Sequence, residues 1–259
     1  MSVRTVRGGA MAVLMAVVAW TGGCAAPSQS AATVDHGLIF NGVDLTGWDG
    51  DPRYWRVEEG CLTGETTDAS PLARNTFMIY RGADVGDFEL EFDYVIRSER
   101  ANSGVQYRSF EMPAANDDGR WIVGGYQADI DEPVTYTGIV YGERDRGILA
   151  LRGQQVTIEP GGAPKVTGSL GEAGDLAARI NGRDGWNSYR VRMQGNRLSH
   201  TINGVTMTEA VDNDAVVTEP GAKGARTRGV IAFQLHTGPA MKIQFRNVRL
   251  RDLSGRRGR

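Results

Sequence analysis

From Phe88 to Tyr94 the chain alternates without a break: Phe88, Leu90, Phe92 and Tyr94 against Glu89, Glu91 and Asp93. Neighbouring side chains of an extended strand point to opposite faces, so this period puts the aromatic and aliphatic groups on one side and the carboxylates on the other. The same period returns in Tyr189 to Met193, Ile231 to His236 and Met241 to Leu250, and more loosely in Val105 to Phe110. No long stretch carries a helical period. Strands with one apolar face must bury it against another layer. Asn181-Gly182, Gln194-Gly195-Asn196 and Asn203-Gly204 supply the turn residues between them. The expected fold is all-β, two antiparallel sheets packed face to face. Pro160 to Arg183 interrupts the rhythm with glycines and few large apolar residues, and reads as a long loop with one short helix around Gly171 to Ile180. There is no internal repeat and no second domain boundary.

Arg4 and Arg7 precede an uninterrupted apolar run from Ala10 to Trp20. As a helix that run rises only about 16 Å against a hydrocarbon core of roughly 30 Å, which suits a signal peptide better than a membrane span. Thr21-Gly22-Gly23-Cys24 resembles a bacterial lipobox, with Thr21 where Leu is usual. The expected organisation is a signal peptide over residues 1–23, a lipidated tether over 24–36 beginning at Cys24, a β-domain over 37–252 and a basic tail over 253–259. This implies a lipid-anchored protein of the cell envelope. Ala25 lacks the acidic character of inner-membrane retention, so the outer membrane, facing the periplasm, is the expected site. Cys61 is then the one cysteine left in the domain, no internal disulfide can form, and stability must come from the core. With 31 acidic against 29 basic residues, no polybasic nucleic-acid face is present. The closing Arg246 to Arg259 is locally basic, ends in SGRRGR, and reads as a frayed, solvated tail or a contact for anionic headgroups. No feature points to a specific protein partner.

Polar groups recur on the strand-like segments. Glu89, Glu91 and Asp93 either form a solvated sheet face with cross-strand partners or face a ligand. Asn102 opens a polar turn that runs into a strand carrying Arg108, and Gln127, Asp129 and Asp131 share a side opposite Tyr126, Ala128 and Ile130. Gln234 and His236 share a side, as do Leu198, His200 and Ile202, so His200 is either a site residue or a structural hydrogen-bonding group. Carboxylates, amides, an arginine and histidines are suitable partners for sugar hydroxyls. Trp121, after a hydrophilic stretch, is a candidate for stacking on a sugar ring; Trp48 and Trp55 read as core and Trp186 as either. A phosphate loop with its lysine, a His-Glu-x-x-His, a Cys-x-x-Cys and a Gly-x-Ser-x-Gly elbow are all missing from the sequence. No motif assigns a cofactor. A divalent cation such as calcium would find candidate ligands in Asp129, Asp131 and Glu143.

A series of segments then carries a family likeness. Gly37 to Trp48, Trp55 to Gly60, Asp87 to Phe92, Asn102 to Val105, Gly125 to Ile130, Thr137 to Gly142, Trp186 to Tyr189, His200 to Gly204 and Gln234 to His236 follow in one order. Together the chain resembles the 3-keto-disaccharide hydrolase domain family over roughly residues 37 to 250. The resemblance implies a concanavalin-like jelly-roll sandwich with a ligand groove on its concave sheet. It also implies substrates, glycosides or disaccharides, whose carbon-3 hydroxyl has been oxidised to a ketone. Such a ketone acidifies carbon 2, so the aglycone can leave carbon 1 by elimination and water can add back. The route needs a base, a stabiliser for the enolate oxygen and an acid for the leaving group. Among the family-like residues, His236 is the preferred base with Glu91 as alternative, and Arg108 the enolate clamp. Asp129 is an acid or metal ligand, and His200 a second titrating group. Gln127, Gln234, Trp121, Asn102 and Tyr141 are expected to bind substrate. Two other functions stay open: a direct endo-glucanase-like glycosidase, whose Glu-x-Asp-x-x-Glu pattern is missing here, and a non-catalytic sugar-binding lipoprotein.

Overall fold

The computed structural model describes Met1 and residues 37–113 and 120–254. The apolar run from Ala10 to Trp20, Cys24, the expected tether and residues 255–259 lie outside the described residues. Among those described, no helix is long and apolar enough to cross a membrane. In chain order the elements begin with β1 (Trp48–Asp49), β2 (Trp55–Glu58), β3 (Cys61–Glu65), β4 (Thr76–Tyr80), β5 (Phe88–Ile96) and β6 (Asn102–Glu111). Then come β7 (Val123–Asp131), β8 (Val140–Glu143), β9 (Gly147–Ala150), β10 (Gln154–Ile158), β11 (Lys165–Ser169) and α1 (Ala173–Ala177). The last are β12 (Asn187–Gln194), β13 (Arg197–Ile202), β14 (Val205–Asp212), β15 (Val230–Leu235) and β16 (Lys242–Asp252).

They form a seven-stranded sheet, β1-β4-β15-β6-β7-β8-β9, and a nine-stranded sheet, β11-β10-β14-β13-β12-β5-β16-β3-β2. All pairings within the sheets are antiparallel except β10 with β14, which run parallel. The architecture is a concanavalin-like jelly-roll sandwich. The alternation of β5 turns Phe88, Leu90 and Phe92 into the core, where Leu90 is fully buried. β15 answers from the other sheet with Phe233 and Leu235, and Phe92 meets Phe233 edge to face at 5.6 Å between ring centres. Phe233 also packs on Phe245 at 4.1 Å and on Trp48 at 5.4 Å. Burying side chains of this size gives roughly 1.5–3 kcal/mol each, which replaces what a disulfide would supply.

The structure differs from the sequence expectation in two segments. Residues 160–183 hold an edge strand, β11, besides the helix α1. Val166 is exposed and β11 pairs only with β10, so the segment has too little apolar burial to betray itself in the sequence. At the C-terminus the chain stays docked beyond residue 252. Leu253 is buried and its N–H donates to Asp87 O at 2.9 Å, so the tail begins later than residue 253.

Candidate functional site

The outer face of the seven-stranded sheet carries a row of polar side chains. Register sets Gln106 beside Gln127, Gln127 beside Tyr141, and Gly104 beside Asp129. β15 adds Gln234 on the same face, since Ala232 pairs with Gln106. At one end of this row lies a cleft of about 260 Å³ lined by Asn102, Gln127, Asp129, Tyr136, Ile139, Tyr141, Glu143, Ile148 and His236. Of the residues expected from the sequence, Asn102, Gln127, Asp129, Tyr141, Glu143 and His236 meet there.

The floor is hydrogen-bonded. The amide of Gln106 donates to Gln127 Oε1, and Gln234 Nε2 donates to the same oxygen at 3.1 Å. The amide of Gln127 donates in turn to Asp129 Oδ1. Gly104 makes this possible, because a Cβ there would stand 2.7 Å from Gln127 Cδ. Burial pushes the Asp129 carboxyl up to about 8; the Gln127 hydrogen bond opposes this, and the charges of Asp131 and Glu143 add to it. Burial also raises the Tyr141 phenol, with Glu143 and Asp129 adding to the effect. His236 has Nδ1 2.5 Å from Thr237 O, which gives Nδ1 the proton of the neutral ring and makes Nε2 its acceptor nitrogen. Asn75, which the sequence reading missed, bridges the rim: its Nδ2 donates to Glu143 Oε1 at 3.1 Å and its Oδ1 accepts from Thr237 N at 2.9 Å. Gln106 was missed too, although its spacing from Gly104 and Asn102 puts it on their face.

Five expected roles are corrected. Glu91 lies exposed on the outer face of the nine-stranded sheet, in register with Arg190 and Arg249. Its neighbours Glu89 and Asp93 pair there with Arg192 and Arg246 at 3.3 Å each, so this carboxylate row is taken up by cross-strand ion pairs, with Glu89 buried beneath its arginines. Arg108 is buried away from the cleft. Its guanidinium donates to Gly86 O, Gly195 O and Arg226 O at 2.8–3.0 Å and to Asp87 Oδ1 at 2.9 Å, tying loops together. His200 is fully buried in the core: Nδ1 stands 3.0 Å from Ile139 O and Nε2 accepts from Tyr107 Oη at 2.9 Å. Burial lowers its pKa to about 4. Trp121 packs against Phe77, Ile79, Val123 and Ala232, with Arg120 4.5 Å above its ring and Nε1 donating to Asp49 Oδ1 at 2.6 Å. Both its polar edge and one face are taken. Asp131 accepts from the backbone N–H groups of Thr135, Tyr136 and Thr137 at 2.7–3.1 Å, holding the loop after β7 rather than a metal. Among the described residues no group of three or more His, Cys, Asp or Glu is arranged to hold a metal ion.

Comparison with known proteins places this geometry. Two crystal structures of candidate glycosyl hydrolases from Parabacteroides distasonis ATCC 8503 have a similar fold. One shares 20% identity over 83% of this chain and 93% of its own, with a TM-score of 0.54. The other shares 19% over 83% and 98%, with a TM-score of 0.50. No curated protein matches the sequence. Residues 35–251 match the 3-keto-alpha-glucoside-1,2-lyase-like domain, nearly the whole of the sandwich and all of its cleft, and the chain belongs to that family.

Proposed function

We propose that the protein cleaves 3-keto-glycosides by elimination across carbons 1 and 2 followed by hydration, with this cleft as its active site. The observation that carries the reading is the meeting of Asp129, held protonated by burial, with His236, whose Nε2 is left free to accept a proton. His236 Nε2 takes the carbon-2 proton, and the electron pair spreads as an enolate onto the carbon-3 oxygen. The carbon-1 to oxygen bond then breaks, and Asp129 gives its proton to the departing oxygen. Water adds across the resulting carbon-1 to carbon-2 double bond, restoring the 3-keto sugar. Asn102 and Tyr141, which line the cleft, supply hydrogen bonds to the sugar oxygens in place of Arg108.

Incubation of the purified protein with matched 3-keto and unoxidised disaccharides in deuterated water tests this. Turnover of the 3-keto compound alone, with deuterium at carbon 2, is expected, and His236→Ala should abolish the exchange in a folded protein. Cleavage of both sugars without exchange favours direct hydrolysis instead, for which Asp129 and Glu143 in one cleft are the observation. Binding without turnover, with calcium supplied, leaves a sugar-binding module. The lipobox-like Thr21 to Cys24 further supports a lipid-anchored envelope protein. Mass spectrometry should find Cys24 acylated and N-terminal, and an unmodified start beyond residue 24 overturns that part.

A further inference from the structure

Beneath the cleft lies a polar row that takes no direct part in the proposed chemistry. Ser109 is fully buried, and so are Gln106 and Gln234. None of the three lines the cleft. Buried amides are retained only where their hydrogen bonds are made, so the direction of each bond can be read from the row. It starts at Ser109, whose hydroxyl faces three acceptors: Gln106 Oε1 at 2.7 Å, Tyr107 O at 3.2 Å and Tyr126 O at 3.3 Å. With one proton to give, it donates to the nearest, Gln106 Oε1. That fixes the Gln106 amide with its N–H toward Gln127 Oε1. Gln234 and Gln127 then form a side-by-side amide pair. Gln234 Nε2 donates at 3.1 Å, and Gln127 Nε2 returns a longer contact to Gln234 Oε1 at 3.4 Å.

A flip of Gln127 alone would set its N–H₂ against two other donors, those of Gln106 and Gln234. A concerted flip of Gln127 and Gln234 would keep their pair but still set the Gln127 N–H₂ against the N–H₂ of Gln106. We infer that Ser109, Gln106 and Gln234 are positioning residues that hold the Gln127 amide with its N–H on Asp129 Oδ1, so that the Asp129 proton sits on Oδ2. Asp129 lines the cleft, and with Oδ1 engaged from within the row, Oδ2 is the oxygen free to donate to a ligand. The catalytic consequence rests on the elimination reading above, whereas the orientation of the amide does not.

The charged and titratable groups around Asp129 are Asp131 on its own strand, Glu143 and Tyr141 on β8, and His236 beyond β15. Tyr107 and Tyr189 lie in the core beneath the sheet, close enough to feel the charge of Asp129. The test changes none of these. An N–H donated to Asp129 favours its charged form, so turning the Gln127 oxygen toward it must raise its proton affinity. Gln106→Glu replaces the locking donor by an oxygen and reverses the preferred Gln127 orientation. Gln106→Met removes the donor without adding charge, and Ser109→Ala is a milder change at the head of the row.

Asp129 is titrated by infrared spectroscopy on its protonated-carboxyl band, with Asp129→Asn as the blank, in full-length protein checked for folding by circular dichroism. The midpoint should rise by about one pH unit in Gln106→Met, the equivalent of one charge-favouring hydrogen bond, and further in Gln106→Glu. Ser109→Ala should move it in the same direction by less. In turnover of a 3-keto disaccharide, Gln106→Met should lower kcat about tenfold with KM nearly unchanged, and its alkaline limb should follow the infrared midpoint. An Asp129 midpoint unmoved in the folded variants, with Ser109→Ala standing in where the others do not fold, overturns the inference. A midpoint that moves while the wild type turns over no 3-keto sugar upholds the positioning and removes the elimination reading.

Discussion

Arg108 and His200 look alike in the sequence, polar residues on alternating strands, and both are buried outside the cleft and held there by internal hydrogen bonds. Arg108 presents five donors in a planar fork, and the structure spends four of them on three carbonyls and Asp87. Lysine has neither the reach nor the geometry to satisfy the same set. Arg108→Lys should therefore cost about 3 kcal/mol of stability, read from urea unfolding, while the folded variant keeps its KM for a 3-keto disaccharide. A large rise in KM without loss of stability would return Arg108 to the site. For Glu91 the expectation is the opposite. It is exposed among arginines on a solvated sheet face, so Glu91→Ala should shift stability by no more than about 0.5 kcal/mol and leave turnover untouched.

At the scale of elements, β5 shows what the alternation could and could not reveal. Its apolar face was legible, and Leu90→Ala should cost roughly 2–5 kcal/mol because that side chain is fully enclosed. Thermal or urea unfolding checks it; a loss under about 1 kcal/mol would mean the site collapses around the cavity. The outer face of β5 was equally visible as a row of carboxylates. Alternation says only that a strand has two faces, however, and not which sheet turns its polar side to the ligand. The arginines that neutralise this row come from β12 and β16, far away in sequence, so no local pattern could expose them. β6 defeats the pattern in another way. Its register shifts between Tyr107 and Phe110, and Arg108 takes a φ of 44°, so the parity that puts Gln106 on the outer face does not carry on to Arg108. Gly229 approaches this bulge so closely that a Cβ would stand 2.5 Å from Ser109 O, at a φ of +158°. The polar face of β7 was readable because its strand is regular from Val123 to Asp131, and Gln127 and Asp129 fall where their spacing puts them.

For the molecule as a whole, two buried groups bend the stability curve in opposite senses. Asp129 has its pKa raised from 3.8 to about 8 by burial, so the folded state holds a proton that the unfolded chain releases, and this contribution is lost as pH rises through about 8. His200 has its pKa lowered from 6.5 to about 4, so the unfolded chain takes up a proton that the folded core refuses, and stability is lost as pH falls from 6.5 through about 4. Between about pH 5 and 6.5 each state carries one proton that the other lacks, and the two slopes cancel. Above pH 6.5 only Asp129 remains, and stability should fall by about 1.4 kcal/mol per pH unit up to about 8, some 2 kcal/mol in all. Asp129→Asn should flatten this alkaline decline and uncover the His200 slope, so that stability climbs by about 1.4 kcal/mol per pH unit from about pH 5 to 6.5. Urea midpoints measured across that range for both proteins decide it. A wild type whose stability is level from pH 6.5 to 8 would mean that Asp129 is ionised in the folded protein throughout, and the proposed acid would have no proton to give.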